Sequence, residues 1–201
     1  MSHGVLETSV QLIKRIRTRI FTLLISGAFK KCGFGTRIEP PFRFFNLGQI
    51  SLGRNVMINR NCWIQVLEDQ VKSQDPKLII ESNAAIGMDA TISVVRKVVI
   101  GEYVLLARNV YISDHSHAFS DIRVPIMDQG IDHVAAVIIG RHTWLGQNVV
   151  VLPGVSIGEH CVIGANSVVN SSIADFSVAA GVPARVVKRF NHEIMKWQRI
   201  K

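Results

Sequence analysis

Two histidines two residues apart, His115 and His117, have the clearest capacity for chemistry in this sequence. They lie in residues 113–136, a polar stretch that also contains four aspartates. An imidazole, whose ordinary pKa is about 6.5, can accept a proton at neutral pH and later return it to a leaving group. The pair could instead hold a metal ion, because residues two apart in an extended segment can face the same way. The neighbouring Asp114 could orient an imidazole or could be a solvated loop carboxylate. The stretch therefore predicts either a general base or a metal site.

An aliphatic residue recurs every six positions in the region that follows. These residues are Ile139, Leu145, Val151, Ile157, Ile163 and Val169, and glycine follows four of them, at Gly140, Gly146, Gly158 and Gly164. Small or β-branched residues stand four positions after the aliphatic ones, at Thr143, Val149, Val155, Cys161 and Ser167. A period of six fits neither a helix, with about 3.6 residues per turn, nor a lone strand, with about 2. It is typical of the hexapeptide repeats of a parallel β-helix.

The geometry of such a coil explains the choice of residues. At about 3.3 Å per extended residue, six residues make one side of roughly 20 Å, and three sides close a triangular coil of about 18 residues. The aliphatic and small residues are expected to face inward, and glycine is expected at turns whose backbone angles a Cβ would disfavour. Cys62 and Cys161 occupy the small position, so we expect buried core thiols. Any chemistry must then lie on the outside of the prism.

The repeat divides the chain into three parts. Residues 36–184 carry it, with loop excursions at 66–77 and 113–136 where no repeat can be fitted. Residues 1–35 precede it and include an expected amphipathic helix from about residue 7 to residue 31, which either caps the β-helix end, lies on an anionic membrane surface, or does both. Its apolar run is too short to span a bilayer. Residues 185–201 are expected to form a short basic helical tail.

Charge is concentrated in the two ends of the chain. The net charge is +8, of which residues 1–31 and 185–201 contribute +5 each, so the middle carries −2. A nucleic-acid-binding protein usually spreads basic residues over a face of its folded body. We therefore expect no nucleic-acid partner.

The repeat, the histidine-bearing excursion and the ending A-A-G-V-P-A-R-V-V-K occur together in this chain. Together they resemble the hexapeptide-repeat acyltransferases, in particular the sugar O-acetyltransferases that act on galactosides, maltose or bacterial surface polysaccharides. The resemblance covers about residues 50–190. It implies an all-β fold, a single-stranded left-handed parallel β-helix, and a homotrimer whose active sites lie between subunits. It also implies acetyl-CoA as co-substrate and no metal. The γ-class carbonic anhydrases share the fold, but their ligand histidines lie five residues apart, a spacing that no two histidines here have.

The resemblance also assigns site residues by position. The catalytic histidine of the family corresponds to His115, with His117 as the second choice, and a family asparagine beside the reacting groups corresponds to Asn59. Asn59 or backbone N–H groups at the glycine turns would stabilise the tetrahedral intermediate. Asn59, Asp114 and His117 are the predicted acceptor contacts. The groove for acetyl-CoA corresponds to Trp144, Gln147, Ala165, Asn170, Ser171, Arg185 and Lys188.

The sequence thus predicts an acetyl-CoA-dependent O-acetyltransferase acting on a saccharide, such as a surface polysaccharide or its precursor, by direct transfer. Its expected location is the cytoplasm, or the inner face of the membrane if residues 7–31 bind lipid. One alternative is an acyltransferase of the same fold that uses an amino-sugar amine, serine or an antibiotic hydroxyl as acceptor. A second alternative is a non-catalytic β-helix that binds or scaffolds.

Overall fold

A computed structural model describes residues 2–67 and 75–200, with side chains from residue 7 onward. Helix α1 spans Ser2–Ser26. Within the described residues, six successive coils of three strands follow. The first three coils contain β1 (Lys31–Cys32), β2 (Arg37–Ile38), β3 (Arg43–Phe45), β4 (Ile50–Leu52), β5 (Met57–Ile58), β6 (Trp63–Val66), β7 (Leu78–Ile80), β8 (Ala85–Ile86) and β9 (Thr91–Val94).

The fourth coil contains β10 (Val98–Ile100), β11 (Leu105–Leu106) and β12 (Tyr111–Ser113), and the excursion after it holds β13 (Ser116–His117) and β14 (Ile131–Asp132). The last two coils contain β15 (Val137–Ile139), β16 (Trp144–Leu145), β17 (Val150–Val151), β18 (Ser156–Ile157), β19 (Val162–Ile163) and β20 (Val168–Val169). The chain ends in β21 (Ser177–Gly181), β22 (Ala184–Asn191) and β23 (Lys196–Arg199).

Corresponding strands of successive coils pair in parallel and form the three walls of a prism. Sheet I contains β1, β4, β7, β10, β15 and β18, sheet III contains β3, β6, β9, β12, β17 and β20, and sheet II contains β2, β5, β8, β11, β16, β19, β21, β22 and β23. In sheet II, Leu106 pairs with Leu145, which pairs with Ile163, so each aliphatic residue stacks on its counterpart. The predicted parallel β-helix of hexapeptide repeats is confirmed.

The interior is filled as the repeat predicts. The aliphatic positions are essentially inaccessible, and so are the small positions from Thr143 to Ser167. Cys62 and Cys161 are buried free cysteines, as predicted. Burial raises the pKa of the Cys62 thiol to about 11, so this cysteine stays protonated and is a poor nucleophile.

The repeat glycines have a different purpose from the one predicted. Gly140 does not have a positive φ, whereas the turn residues Asn148 and Asn166 have φ values of 58° and 60°. A methyl group on Gly140 would come within 2.5 Å of the carbonyl carbon of Gly158 in the next coil. These glycines therefore permit close stacking of the coils, while asparagine and histidine supply the left-handed turns.

Helix α1 covers the edge of sheet II at β2. The Ile38 N–H donates to Thr22 Oγ1 at 2.8 Å, and the Thr22 hydroxyl donates to the Thr18 carbonyl at 2.7 Å. Lys14 forms an ion pair with the largely buried Glu39 at 3.1 Å. The helix is amphipathic, as predicted, but the face turned to the sheet contains Thr18 and Thr22, which are buried. None of the helical segments in the described parts of the chain has the length and apolar character that crossing a bilayer requires.

The C-terminal tail differs from the prediction. The predicted helical segment forms β22 and β23, an antiparallel hairpin that pairs with β21. The helix prediction was wrong because the outer edge of β21 presents backbone groups that need partners, and a second strand supplies them.

The two excursions begin slightly later than predicted. Val66 is a buried residue of β6, and residues 68–74 of the first excursion lie outside the described residues. In the second, Ser113 ends β12, and β13 and β14 then form a short antiparallel pair. Between them, the Gln129 amide accepts from the Asp121 N–H and donates to two backbone carbonyls, which holds the loop together.

Candidate functional site

His115 follows β12, at the corner where sheet III turns into sheet I. Its Nδ1 lies 2.9 Å from Oδ1 of Asp114, and its side chain is 11% exposed. Ser113 accepts from the His115 N–H at 3.3 Å and donates to the His115 carbonyl at 2.8 Å. The backbone and one ring nitrogen are thus both held, which fixes the direction of the imidazole.

Asp114 is fully buried beneath this imidazole. The backbone N–H groups of residues 95–97, in the turn between β9 and β10, donate to its two carboxylate oxygens at 2.7 to 2.8 Å. Burial would raise the pKa of Asp114, but the hydrogen bonds from His115 and from this turn outweigh it and hold the pKa below its ordinary value of 3.8. Asp114 is therefore a carboxylate at neutral pH.

Two interpretations of Asp114 are corrected by this geometry. The predictions that Asp114 is a solvated loop carboxylate and that it contacts the acceptor are both wrong. The carboxylate has no exposed surface, and both of its oxygens already accept hydrogen bonds. The alternative that Asp114 orients an imidazole matches the structure. The sequence held no signal for the turn that binds it, because residues 95–97 contribute only backbone N–H groups.

The charge on Asp114 decides which nitrogen of His115 carries the proton. An ionised carboxylate can only accept, so the shared proton belongs to Nδ1. Nε2 then carries the lone pair. A neutral imidazole held in this way could accept a proton at Nε2 from a group that lies beside the ring.

His117, the second choice for the base, lies in β13 and is exposed. Its backbone pairs with Ile131 of β14, and Ser116 pairs with Asp132. No three His, Cys, Asp or Glu side chains in the ranges 7–67 and 75–200, where side chains are described, are placed to share a metal ion. His115 Nδ1 is also already committed to Asp114.

Trp144, Gln147 and Ala165, three of the predicted acetyl-CoA residues, line one groove of about 270 Å³ on the outer face of sheet II. The same groove is lined by Ala107, Gly146 and Gly164. Arg108, which sequence reasoning missed, also borders it and donates to Asp89 at 2.6 Å. The repeat register could have found Arg108, because it lies directly beneath Gln147 in the preceding coil. The small residues leave room for a long thin ligand close to the backbone.

Asn59 lies beside a second cleft, of about 490 Å³, between α1 and the first strands of sheet II. Its Nδ2 donates to the Ile86 carbonyl at 2.7 Å, which leaves one amide hydrogen for a ligand. The cleft has one lining carboxylate, Glu39, and four lining cations, Lys14, Arg15, Arg19 and Arg37. Sequence reasoning missed these cations, since the helix that supplies three of them precedes the repeat.

The predicted site residues fall on two different edges of sheet III. Asn59, Gln147 and Ala165 follow strands of sheet II, whereas His115, Asn170 and Ser171 follow strands of sheet III at its opposite edge. His115 comes six positions after Asn109, which lies at the first edge, so one side of the prism, roughly 20 Å long when extended, runs between the two edges. Within one chain, His115 and the sheet II groove are thus at opposite edges of sheet III.

Arg185 and Lys188 extend the outer face of sheet II. They lie in β22 opposite Ala180 and Val178 of β21. Val178 in turn pairs with Val162, and Val162 pairs with Trp144. The two cations therefore stand at the far end of the face that contains the groove.

Several known proteins are similar to this chain in sequence or in fold. Residues 136–171 match the family described as bacterial transferase hexapeptide (six repeats). The chain is 38% identical to WbbJ of Escherichia coli (strain K12), named as a lipopolysaccharide biosynthesis O-acetyl transferase, over 61% of this chain and 65% of that protein. The chain thus spans less than two thirds of that relative.

Two further similarities extend over more of the chain. This chain is 32% identical to the galactoside O-acetyltransferase of Escherichia coli (strain K12), over 84% of this chain and 68% of that protein. The S84A mutant of AntD, an N-acyltransferase from Bacillus cereus in complex with dTDP-4-amino-4,6-dideoxyglucose and coenzyme A, shares the fold with a TM-score of 0.70 and 23% identity, over 85% of this chain and 89% of that chain. The chain belongs to the hexapeptide-repeat acyltransferase family.

Proposed function

We propose that the protein is an O-acetyltransferase that moves an acetyl group from acetyl-CoA to a hydroxyl of a saccharide, with His115 as general base. The observation that carries this proposal is the 2.9 Å contact between His115 Nδ1 and the buried Asp114 carboxylate. It leaves Nε2 with a lone pair, which an alcohol nucleophile requires. The names of the two Escherichia coli relatives support a hydroxyl rather than an amine as acceptor.

In the proposed reaction, Nε2 of His115 removes the proton of the acceptor hydroxyl as its oxygen attacks the thioester carbonyl carbon. A C–O bond forms, and the carbonyl oxygen becomes an oxyanion that backbone N–H groups or the remaining Asn59 amide hydrogen would stabilise. The C–S bond then breaks, and the departing thiolate takes the proton back from Nε2. Asp114 stays ionised throughout and stabilises the transient imidazolium. No covalent enzyme intermediate is needed.

We place acetyl-CoA along the outer face of sheet II. The groove beside Trp144 would hold the pantetheine arm, because its alanine and glycine residues do not obstruct a long chain. Arg185 and Lys188 at the β22 end suit the phosphates. This direction turns the thioester toward β11 and the cleft that contains Asn59.

We further propose that the active site forms between subunits of a homotrimer. A ligand on sheet II faces away from His115 of the same chain, so the imidazole would come from the neighbouring subunit. The excursion that contains His115 supports this view, because it exposes apolar side chains that a neighbour could cover. These are Phe119, Ile122, Ile126 and Met127.

The acceptor site is proposed to be the cleft beneath α1. Four cations against one carboxylate, which is itself paired with Lys14, favour an acceptor that carries phosphate or carboxylate groups. A nucleotide-linked or otherwise anionic saccharide fits that description. Such a substrate and acetyl-CoA are both cytoplasmic metabolites, so we propose that the reaction takes place there.

The test is thiol release from acetyl-CoA with a panel of sugar and amino-sugar acceptors. His115→Ala should lower kcat by roughly 10²- to 10⁴-fold, while CoA affinity measured by calorimetry stays unchanged. His117→Ala tests the second choice for the base and should leave kcat close to that of the wild type, with at most a raised KM for the acceptor if His117 contacts it. Unchanged turnover by His115→Ala would overturn the assigned base, and faster transfer to amines than to hydroxyls would indicate an N-acyltransferase. Failure of the wild-type protein to bind CoA would favour a non-catalytic β-helix.

A further inference from the structure

Helix α1 turns an apolar face away from the rest of the molecule. Ile13, Ile16, Ile20 and Leu24 are spaced three or four residues apart, so they share one side of the helix. Together with Val10, Leu12 and Leu23 they form what we call the outer stripe, whose side chains are 49% to 78% exposed. At about 1.5 Å per residue, the stripe from Val10 to Leu24 is roughly 20 Å long. A helix that caps a β-helix would be expected to bury such a face.

The packing of α1 shows that the stripe is not free to turn inward. Thr18 and Thr22 lie on the opposite side and are buried against β2, where Thr22 bonds to the Ile38 backbone. The ion pair between Lys14 and Glu39 adds a second attachment. Rotating the helix to bury the stripe would break both contacts. The apolar face is therefore presented outward on a rigid body.

Basic residues border the outer stripe on both sides. Arg17 lies beside Ile13, Ile20 and Leu24 in a shallow apolar depression and donates to the Pro40 carbonyl at 3.3 Å. On the other border, helical spacing places Arg19 next to Leu12 and Leu23, and Arg19 and Leu12 also line the acceptor cleft. The sequence contains no acidic residue between Thr8 and Ser26. An apolar stripe flanked by arginines matches a helix that lies in the plane of a bilayer, with its arginines at anionic head groups.

We infer that the outer stripe of α1 is a docking surface for an anionic lipid bilayer. Charge favours a bilayer over a second copy of the chain as the surface that contacts the outer stripe. Two such stripes packed together would bring arginines next to arginines, with no carboxylate on either helix segment to offset them. Phosphate head groups complement the same arginines, while Ile20 and Leu24 reach the acyl boundary. The inference does not depend on the proposed reaction.

The experiment is co-sedimentation of the full-length protein with vesicles of phosphatidylglycerol and phosphatidylcholine in equal parts, and with vesicles of phosphatidylcholine alone. The double variant Ile20→Ser/Leu24→Ser removes two stripe residues that do not line the acceptor cleft. The matched control is Ile194→Ser/Met195→Ser, which removes two comparably exposed apolar side chains from the C-terminal hairpin.

We expect the wild-type protein to bind the anionic vesicles, more weakly at high salt, and Ile20→Ser/Leu24→Ser to bind at least about tenfold less tightly. The control should bind as the wild type does. Binding by the double variant at the wild-type level, or equal binding of the wild type to uncharged vesicles, would overturn the inference. A double variant that loses its oligomeric state in light scattering, with a wild type that ignores vesicles, would show that a second copy covers the stripe.

Discussion

The Asp114 carboxylate accepts four hydrogen bonds, three from the backbone of residues 95–97 and one from His115. The backbone bonds hold it in place, and its charge selects the tautomer of the imidazole. In the proposed reaction Asp114 is therefore a positioning residue, which would act on the acceptor through the Nε2 atom of His115. The charge of Asp114 can be removed without changing the size of its side chain.

Asp114→Asn keeps the size of the side chain but replaces one acceptor oxygen by an N–H donor. That donor favours the tautomer of His115 with the proton on Nε2, which removes the base. We expect kcat to fall by roughly 10²- to 10⁴-fold with little change in KM for acetyl-CoA. Steady-state kinetics across a pH series provide the measurement. The control is Asp121→Asn, which changes a half-buried carboxylate that is paired with Arg123 in the same excursion, and it should stay close to wild type. Turnover of Asp114→Asn within twofold of wild type would contradict the assigned role.

The lowered pKa of Asp114 also predicts a pH dependence of stability. The folded state holds the carboxylate ionised below its ordinary pKa of 3.8, so the resulting stabilisation is fully present above that pH. It is lost as the pH falls through the lower folded pKa. The free energy of unfolding of the wild type should therefore decline below about pH 4 more steeply than that of Asp114→Asn. Urea unfolding of both proteins between neutral and acidic pH measures the difference. An equal pH dependence of the free energy of unfolding in the two proteins would show that the ionised Asp114 carboxylate does not stabilise the folded state.

At the scale of the strands and turns, the spacing between coils depends on residues without a side chain. Gly140→Ala should lower the free energy of unfolding by about 1 to 3 kcal/mol or more, because the added methyl group meets the Gly158 backbone, which cannot move aside. Gly48→Ala is the matched control, since that methyl group meets nothing within 4 Å. We expect the control to change stability by less than about 0.5 kcal/mol in urea titration. Equal effects of the two substitutions would mean that the coils can move apart at little cost.

Only part of this architecture could be predicted from the sequence. The six-residue period identified the prism and the inward residues, since each position of the repeat meets its own copy in the next coil. The six-residue period carries no information about segments outside the repeat, whose residues have no equivalent in a neighbouring coil. For this reason the C-terminal hairpin and the direction in which α1 turns its apolar face were not predicted. The same limit applies to the candidate site. Residue type pointed to both His115 and His117, and only the family resemblance favoured His115, whereas the backbone turn that holds Asp114 gave no signal in the sequence.

At the scale of the whole molecule, the prism distributes its chemistry over separate edges. The proposed base, His115, lies at one edge of sheet III, and the groove and the cationic cleft lie on sheet II. The outer stripe of α1 adds a further surface beside the cleft. If the stripe docks on a bilayer, the cleft opens close to the head groups, where an anionic or lipid-linked saccharide would be concentrated. The division between edges has a direct consequence for the proposed trimer.

Two inactive variants should restore activity when they share a trimer. His115→Ala lacks the base but keeps the groove, whereas Ala165→Trp fills the groove but keeps the base. If each site takes its base from one subunit and its groove from the next, every trimer that contains both variants keeps a single intact site, whichever variant is in the majority. Co-expression with two different tags and tandem purification selects these mixed trimers, so thiol release should recover up to about a third of wild-type activity. Two differently tagged copies of His115→Ala form the control and should stay inactive. Mixed trimers no more active than the separate variants would place the base and the groove of each site in a single subunit.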